Sequence, residues 1–389
     1  MGRVKTDWIS DEERGWSDPR TSVCQACVGK DRFLRSVIRN NISQKICSYC
    51  KSKRRKAAPT SSIMDSVLRG VKYSFNDEAN AGCPYDSDFP IDYLLSEDVL
   101  NRVLDSEGLD WPEQLVVDVA RAFLNNGWVD APDGDWMGSY LHERLYWSWN
   151  SFSDAVKHRS RFHFHISNRG ACRWGNDLIR VHEMLPFIGS LIRKHRMVKT
   201  ISTDLKLHRV RPGKHPKNEA ELGPPPRKMV GAGRMNPAGI PYFYLAFDKR
   251  TALAETRVKP NDYFTIGTWS SNRELHVIDL SKLPDRPSVF SGKHGAYELI
   301  NFLHKFVEEI SKPIEHDGRE HIEYLPTQVV SEYFSQVFKW GARKRVDGLI
   351  YSSSVIDVGR NLVVFPSIDS DVNNFNFMKI VDAGHECVS

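Results

Sequence analysis

Four cysteines make the first fold decision in this chain. Cys24-x2-Cys27 and Cys47-x2-Cys50 are separated by 19 residues, and each pair can offer two thiolates from one tight knuckle. Four thiolates close a tetrahedral shell around zinc and leave no open catalytic position, so the expected site is structural. The spacing is that of a zinc ribbon or treble clef. Between the pairs, Leu34, Val37 and Ile38 recur at helical spacing, which predicts a short helix over 31–40. A module of about 50 residues can barely bury a core, and metal binding then supplies folding energy. Free or disulfide-linked thiols are the alternative. Seven cysteines, an odd count, fit a reducing cytoplasm better than a disulfide framework.

At 389 residues the chain exceeds one ordinary core. Its composition suggests a metal-binding module at 1–58, a mainly helical segment at 59–196 and a mixed segment at 197–389. Hydrophobic residues are 40% and charged residues 26%, which excludes a disordered chain. A formal charge of +5 does not by itself imply a nucleic-acid partner. The run Lys51-Ser52-Lys53-Arg54-Arg55-Lys56 could touch nucleic acid, yet Ala57, Ala58 and Pro59 behind it favour a solvated linker. No apolar run approaches the roughly 20 residues of a bilayer span, and the N-terminus lacks a signal-peptide core. Met1-Gly2 with Thr6 meets a myristoylation pattern that chance satisfies easily.

The middle segment is patterned for helices. Ser62 and Asp65 suggest a capped start before Val67 and Leu68. Val99, Val103 and Leu104 mark a second helix with Glu97 and Asp98 in its first turn. Pro112 can open a third at its first position, ahead of Leu115, Val119 and Phe123. Leu141, Leu145, Trp149, Phe152 and Val156 continue the stripe; Leu178, Val181 and Leu185 make the last one, bent at Pro186. Aromatics at this spacing belong to a core, not to a cofactor box. His163 and His165 alternate with Phe162 and Phe164 as in a strand, which separates them from the single helical face an Arg159–His165 pair would need.

The last segment carries the polar residues that suggest chemistry. A strand is expected over 206–211, then a Pro- and charge-rich loop over 214–228 that can serve as a lid. A hairpin is expected over 263–269 and 273–279, with helices over 297–310 and after Tyr324. The second of these should bury Val330, Phe334, Val337 and Phe338, and apolar strands close the segment at 349–353 and 362–365. Irregular alternation of this kind indicates an α+β domain. Gly231 and Gly233 without a following helix exclude a Rossmann site. Arg209, Arg211 and Arg234 carry the planar fork that suits phosphate oxygens. Glu255 can bind sugar hydroxyls and offset positive charge on a ring carbon. With Tyr244 they suggest a phosphorylated sugar, of which a dinucleotide is the obvious cellular case.

Their order adds more than their types. Arg209, Gly233-Arg234-x-Asn236-x-x-Gly239, Tyr244, Ala252-Leu253-Ala254-Glu255, Tyr324 to Gln328, Asp347 to Ser353, and Asn361 resemble the RES family, which contains NAD-consuming toxins. Met235 and Ser352 depart from the aromatic and proline usual there. The helical segment with the knuckles resembles the HEPN/RES N-terminal domain fused to such domains. The resemblance implies an ADP-ribosyltransferase-like mixed sheet and NAD+ as substrate, cleaved between nicotinamide and ribose. It gives catalytic roles to Glu255, Arg209, Tyr244 and Ser353, and substrate anchoring to Arg209, Arg211, Arg234, Tyr244 and Ser353. Water, phosphate or a macromolecule could accept the ADP-ribosyl group, giving a glycohydrolase, a phosphorylase or an ADP-ribosyltransferase. An antitoxin or trigger-sensing partner, a phage-defence role, a regulatory N-terminal half and an oligomer all fit the resemblance. A non-enzymatic zinc-ribbon regulator that binds nucleic acid is the competing class.

Overall fold

Asp31 starts the helix between the two cysteine pairs. In the computed structural model its carboxylate accepts the Leu34 amide at 2.7 Å, and α1 (Arg32–Asn40) follows, burying Leu34 and Ile38. The structure describes residues 9–52, 56–78, 93–125, 127–136, 138–164, 178–313, 318–341, 344–367 and 375–387. By packing, one unit is Met1–Glu143 with Asp285–Asn301; the other is Arg144–Pro284 with Phe302–Ser389.

In the first unit, β1 (Ser22–Val23) pairs antiparallel with β2 (Ala58–Pro59) on either side of the knuckles. Helices α2 (Ser61–Ser74), α3 (Ser96–Ser106) and α4 (Glu113–Ala122) follow, and β3 (Phe75–Asp77) pairs with β4 (Trp128–Asp130). Their apolar stripes, the buried Cys24, Cys27 and Cys47, and Phe290 form one core. Gly70 on α2 makes room for Phe290, because a Cβ there would stand 2.4 Å from its ring. Two local expectations need correction. The Ser62–Asp65 cap does not form: the Ser62 hydroxyl donates to the Pro59 carbonyl at 2.7 Å, and Asp65 accepts the Trp16 indole N–H at 2.6 Å. A tertiary partner outbid the local one. Pro112 is the N-cap of α4, not its first residue.

In the second unit, Pro186 lies in the first turn of α6 (Met184–Lys194), which follows α5 (Leu141–His158) in the chain. First-turn amides have no helical acceptor, so the proline removes no bond and the expected bend has no cause there. Residues 161–164 form bends and a turn, not a strand, and His165 lies outside the described residues. An eight-stranded mixed sheet fills the rest. Its strands are β5 (Val198–Ile201), β6 (Leu207–Pro212), β7 (Phe243–Ala246), β8 (Tyr263–Ser271), β9 (Leu275–Asp279), β10 (Gly348–Ser352), β11 (Arg360–Val364) and β12 (Met378–Cys387). The spatial order is β12-β8-β6-β7-β11-β10-β9-β5, with β9–β10 parallel and the other pairs antiparallel. The expected hairpin of β8 and β9 is therefore absent. Their connector is held elsewhere: the Asn272 amide donates to the Phe377 carbonyl, and Arg273 bonds Asp347 at 2.7 Å. Between the strands run α7 (Lys249–Thr256), α8 (His294–Ser311) and α9 (Leu325–Gln336). Val330, Phe334 and Phe338 are buried as expected, but Val337 lies past the end of α9 and is 62% exposed. No helix among the described residues is long and apolar enough to cross a membrane.

A pH test follows from Glu298 in the first unit. It is buried, accepts the His142 amide at 2.6 Å and contacts His142 Nδ1 at 2.7 Å. Burial pushes its carboxyl up to about 7 and pushes His142 down. The raised carboxyl contributes stability that is complete below its unfolded value and lost as pH rises through about 7. His142 acts with the opposite sign, so the difference between the native protein and Glu298→Gln isolates the carboxyl. In urea titrations at several pH values, Glu298→Gln should gain relative stability from pH 5 to pH 7, within the window set by about 7 and the ordinary glutamate value of 4.5. A pH-independent difference would contradict the assignment.

Candidate active site

The sheet has a seam. β6 pairs with β8 over six residues, and β7 with β11 over four, but β6 and β7 meet only at His208↔Ala246. A cleft of about 280 Å³ lies there, lined by residues of both strands, by Ala252, Glu255 and Thr256 of α7, and by Tyr351 and Asn361.

Glu255 is carried to the cleft by a helix with a firm start and an abrupt end. Asp248 caps α7 by accepting the Thr251 amide at 2.8 Å and hydroxyl at 2.7 Å, and Arg257 ends it with φ +49°. A carboxylate in a last helical turn faces the negative end of the backbone dipole, which is unfavourable by a few tenths of a kcal/mol, up to about 1. Two donors offset this. Glu255 Oε1 accepts from Ser353 Oγ at 2.7 Å and from Asn361 Nδ2 at 2.6 Å. Oε2 has no partner among the described residues, and the residue as a whole is exposed. Ser353 is itself fixed: its hydroxyl accepts the amides of Val355 and Ile356, and its amide donates to the Gly359 carbonyl at 2.8 Å. Of the neighbouring serines, Ser352 ends β10 opposite Arg360, and Ser354 Oγ lies 3.5 Å from Arg234 Nη2.

Arg209 enters the same cleft from β6. Its Nη1 is sealed from solvent and unpartnered among the described residues, and its guanidinium lies 5.3 Å from the Phe243 ring centre. Burial, and then the like charge of Arg211, push Arg209 down to about 9. A cation in that position lacks an anion. Arg211 and Arg234 do not line the cleft. Arg211 Nη2 donates to the Gly223 carbonyl at 2.9 Å while its buried Nε has no partner among the described residues, and Arg234 Nη1 donates to the Ser311 carbonyl at 2.7 Å.

Tyr244 lines the cleft, but its hydroxyl is engaged with the loop before β7. It donates to Asn236 Oδ1 at 2.7 Å and accepts the Met235 amide at 3.1 Å; burial pushes the phenol well up. Asn236 in turn donates to the carbonyls of Gly231, Pro237 and Ile240, and Gln328 donates to those of Gly233 and Asn236. Gly233 is required by this crowding, since a Cβ would meet Asn236 Oδ1 at 2.5 Å. Asn361, Tyr351, His208 and Thr256 also line the cleft and were not singled out from sequence as site residues. Asn361 and Tyr351 face each other across β10 and β11. The place of Asn361 at the end of the family-like run, directly before the apolar residues 362–365, was the available signal.

In the first unit, the Sγ atoms of Cys24, Cys27, Cys47 and Cys50 all lie within 4.8 Å of one another. The Cys24–Cys27, Cys24–Cys50 and Cys27–Cys47 separations are 3.7, 3.6 and 3.7 Å. A tetrahedron with bonds of about 2.3 Å has edges of about 3.8 Å, so the donor set fits a zinc ion. Burial, reinforced at Cys27 by its neighbouring sulfurs, pushes Cys24 and Cys27 up, a penalty that a bound dication reverses.

A family model described as HEPN/RES N-terminal domain 1 matches residues 40–169, and one described as RES domain matches residues 206–376. No curated protein and no solved structure matches the chain.

Two outcomes follow from this geometry. Arg209→Met exchanges a half-buried cation, whose Nη1 has no partner among the described residues, for an apolar chain of similar length and should raise the ligand-free thermal midpoint by a few degrees; a fall would mean Arg209 is already satisfied. Excess chelator, or Cys47→Ser, should lower the midpoint followed by helical circular dichroism, with zinc restoring only the chelated native protein. An unchanged midpoint would remove the metal from the account.

Proposed function

For a chain that carries a HEPN/RES N-terminal domain and a RES domain, we propose that the seam cleft binds NAD+ and cleaves its nicotinamide–ribose bond. The observation that carries this reading is the convergence of Glu255 and Arg209 on one cleft, where, among the described residues, Glu255 Oε2 has no donor and Arg209 has no anion. Nicotinamide leaves as a neutral base, so no general acid is needed. The difficulty is the oxocarbenium-like ribose left behind. Glu255 Oε2 takes the ribose hydroxyls and offsets that charge. Ser353 and Asn361 hold the carboxylate through its other oxygen, and Arg209 takes a phosphate oxygen. Arg211 and Arg234 join the pyrophosphate by exchanging the carbonyls they now hold. Tyr244 shapes the wall through the 231–240 loop, with its ring available to the nicotinamide.

The cleft volume falls just under the about 300–1,000 Å³ of typical ligand pockets, so it suits the nicotinamide riboside end, with the adenylate outside. Zinc, held by Cys24, Cys27, Cys47 and Cys50, is structural in this reading. The N-terminal half is regulatory, answering to a trigger or an antitoxin, as suits a toxin or phage-defence effector in the cytoplasm.

Incubating the purified protein with NAD+, with and without phosphate, and identifying the products tests the reading. Release of nicotinamide is expected, and the partner product names the acceptor: ADP-ribose for water, ADP-ribose 1″-phosphate for phosphate, a modified macromolecule for transfer. Glu255→Gln should lower the rate by about 10²–10³-fold. Activity in cells that survives loss of the Glu255 carboxylate and is abolished by charge reversal at Lys53 to Lys56 would favour the nucleic-acid-binding regulator.

A further inference from the structure

A groove of about 570 Å³ opens in the first unit, lined by the start of α1, the residues just after α3 and the 285–293 segment. Lys30, Arg32, Arg286 and Lys293 reach it, against the acids Asp31, Glu107 and Asp285. All three acids are engaged within the protein. Asp31 accepts the Leu34 amide at 2.7 Å, Glu107 accepts the Tyr297 hydroxyl at 2.6 Å, and Asp285 pairs with Arg32 at 2.7 Å. The ammonium groups of Lys30 and Lys293 have no partner among the described residues, and Arg286 donates to the neutral Asn301 side chain at 3.2 Å. Arg32 and Asp285 neutralise each other, which leaves three positive heads against the two carboxylates of Asp31 and Glu107 and a net positive charge in the concavity. Phe33, Leu109 and Pro287 give it an apolar wall.

We propose that this groove binds a mononucleotide, with its phosphates on Lys30, Arg286 and Lys293 and its base against Phe33 and Leu109. Clustered cations beside apolar lining residues match a ligand that joins a polyanion to a base. The volume lies inside the about 300–1,000 Å³ range of small-ligand pockets. A nucleic-acid strand fits less well, because it needs successive aromatic platforms along a charged track, and the groove offers one aromatic ring, Phe33. The inference is independent of the reading of the seam cleft. It gives the first unit a ligand to respond to.

Isothermal titration of the full chain with ATP tests it, alongside inorganic phosphate and a single-stranded oligoribonucleotide. ATP should bind in a salt-sensitive manner, more tightly than phosphate, and resist displacement by the oligonucleotide. Lys30→Glu with Lys293→Glu, or the milder Lys30→Gln with Lys293→Gln should the first not fold, should weaken binding by about tenfold or more. Arg209→Met should leave it unchanged, which separates the groove from the cleft. Absent ATP binding, binding indifferent to the lysines, loss in Arg209→Met, or ready displacement by the oligonucleotide would each overturn the proposal.

Discussion

One carboxylate oxygen draws the second unit's candidate site together. Glu255 Oε1 receives hydrogens from Ser353 and Asn361, so α7, the turn after β10 and the first residues of β11 are fixed against one another by two short bonds. The side chain stands in a helical turn where negative charge is disfavoured, and its second oxygen is unassigned among the described residues. Local disadvantage held in place by dedicated donors is the pattern of a residue kept for chemistry. Across the seam, Arg209 shows the same imbalance with the opposite sign. Among the described residues, neither side chain is fully satisfied.

The seam makes this possible. If β6 and β7 paired along their full length, their backbones would close the gap that the cleft occupies. They meet at one register position instead, while each remains fully paired on its other side. The sheet therefore keeps its rigidity from β8 and β11 and opens a slot in its middle. The loop before β7 is set by the linked bonds of Asn236, Tyr244 and Gln328 rather than by regular structure. Tyr244 thus contributes to the site through the shape of its wall.

Much of the helical pattern was legible because its signal is local. The stripes over α1, α3, α4 and α9 bury the residues their spacing names, apart from Val37, which is half-buried, and Val337 beyond the helix end. Strand partnership was not legible in the same way. β8 and β9 are neighbours in sequence, yet their partners come from distant segments, and nothing between 271 and 275 records that choice. Asp65 was misread for the same reason, since its partner Trp16 is far away in the chain. Phe290 belongs to the first unit's core through a gap left by Gly70, and an absent side chain leaves no pattern to read. At the site, residue types and order pointed to Arg209 and Glu255. Asn361 needed the register of β10 against β11 before it could be seen as their companion.

The most direct measurement is a crystal structure of the Glu255→Gln protein soaked with NAD+. The account predicts the nicotinamide riboside in the seam, its ribose hydroxyls at residue 255 and a phosphate oxygen on the Arg209 guanidinium. Dinucleotide bound elsewhere, with the seam closed and Arg209 still without an anion, would contradict it.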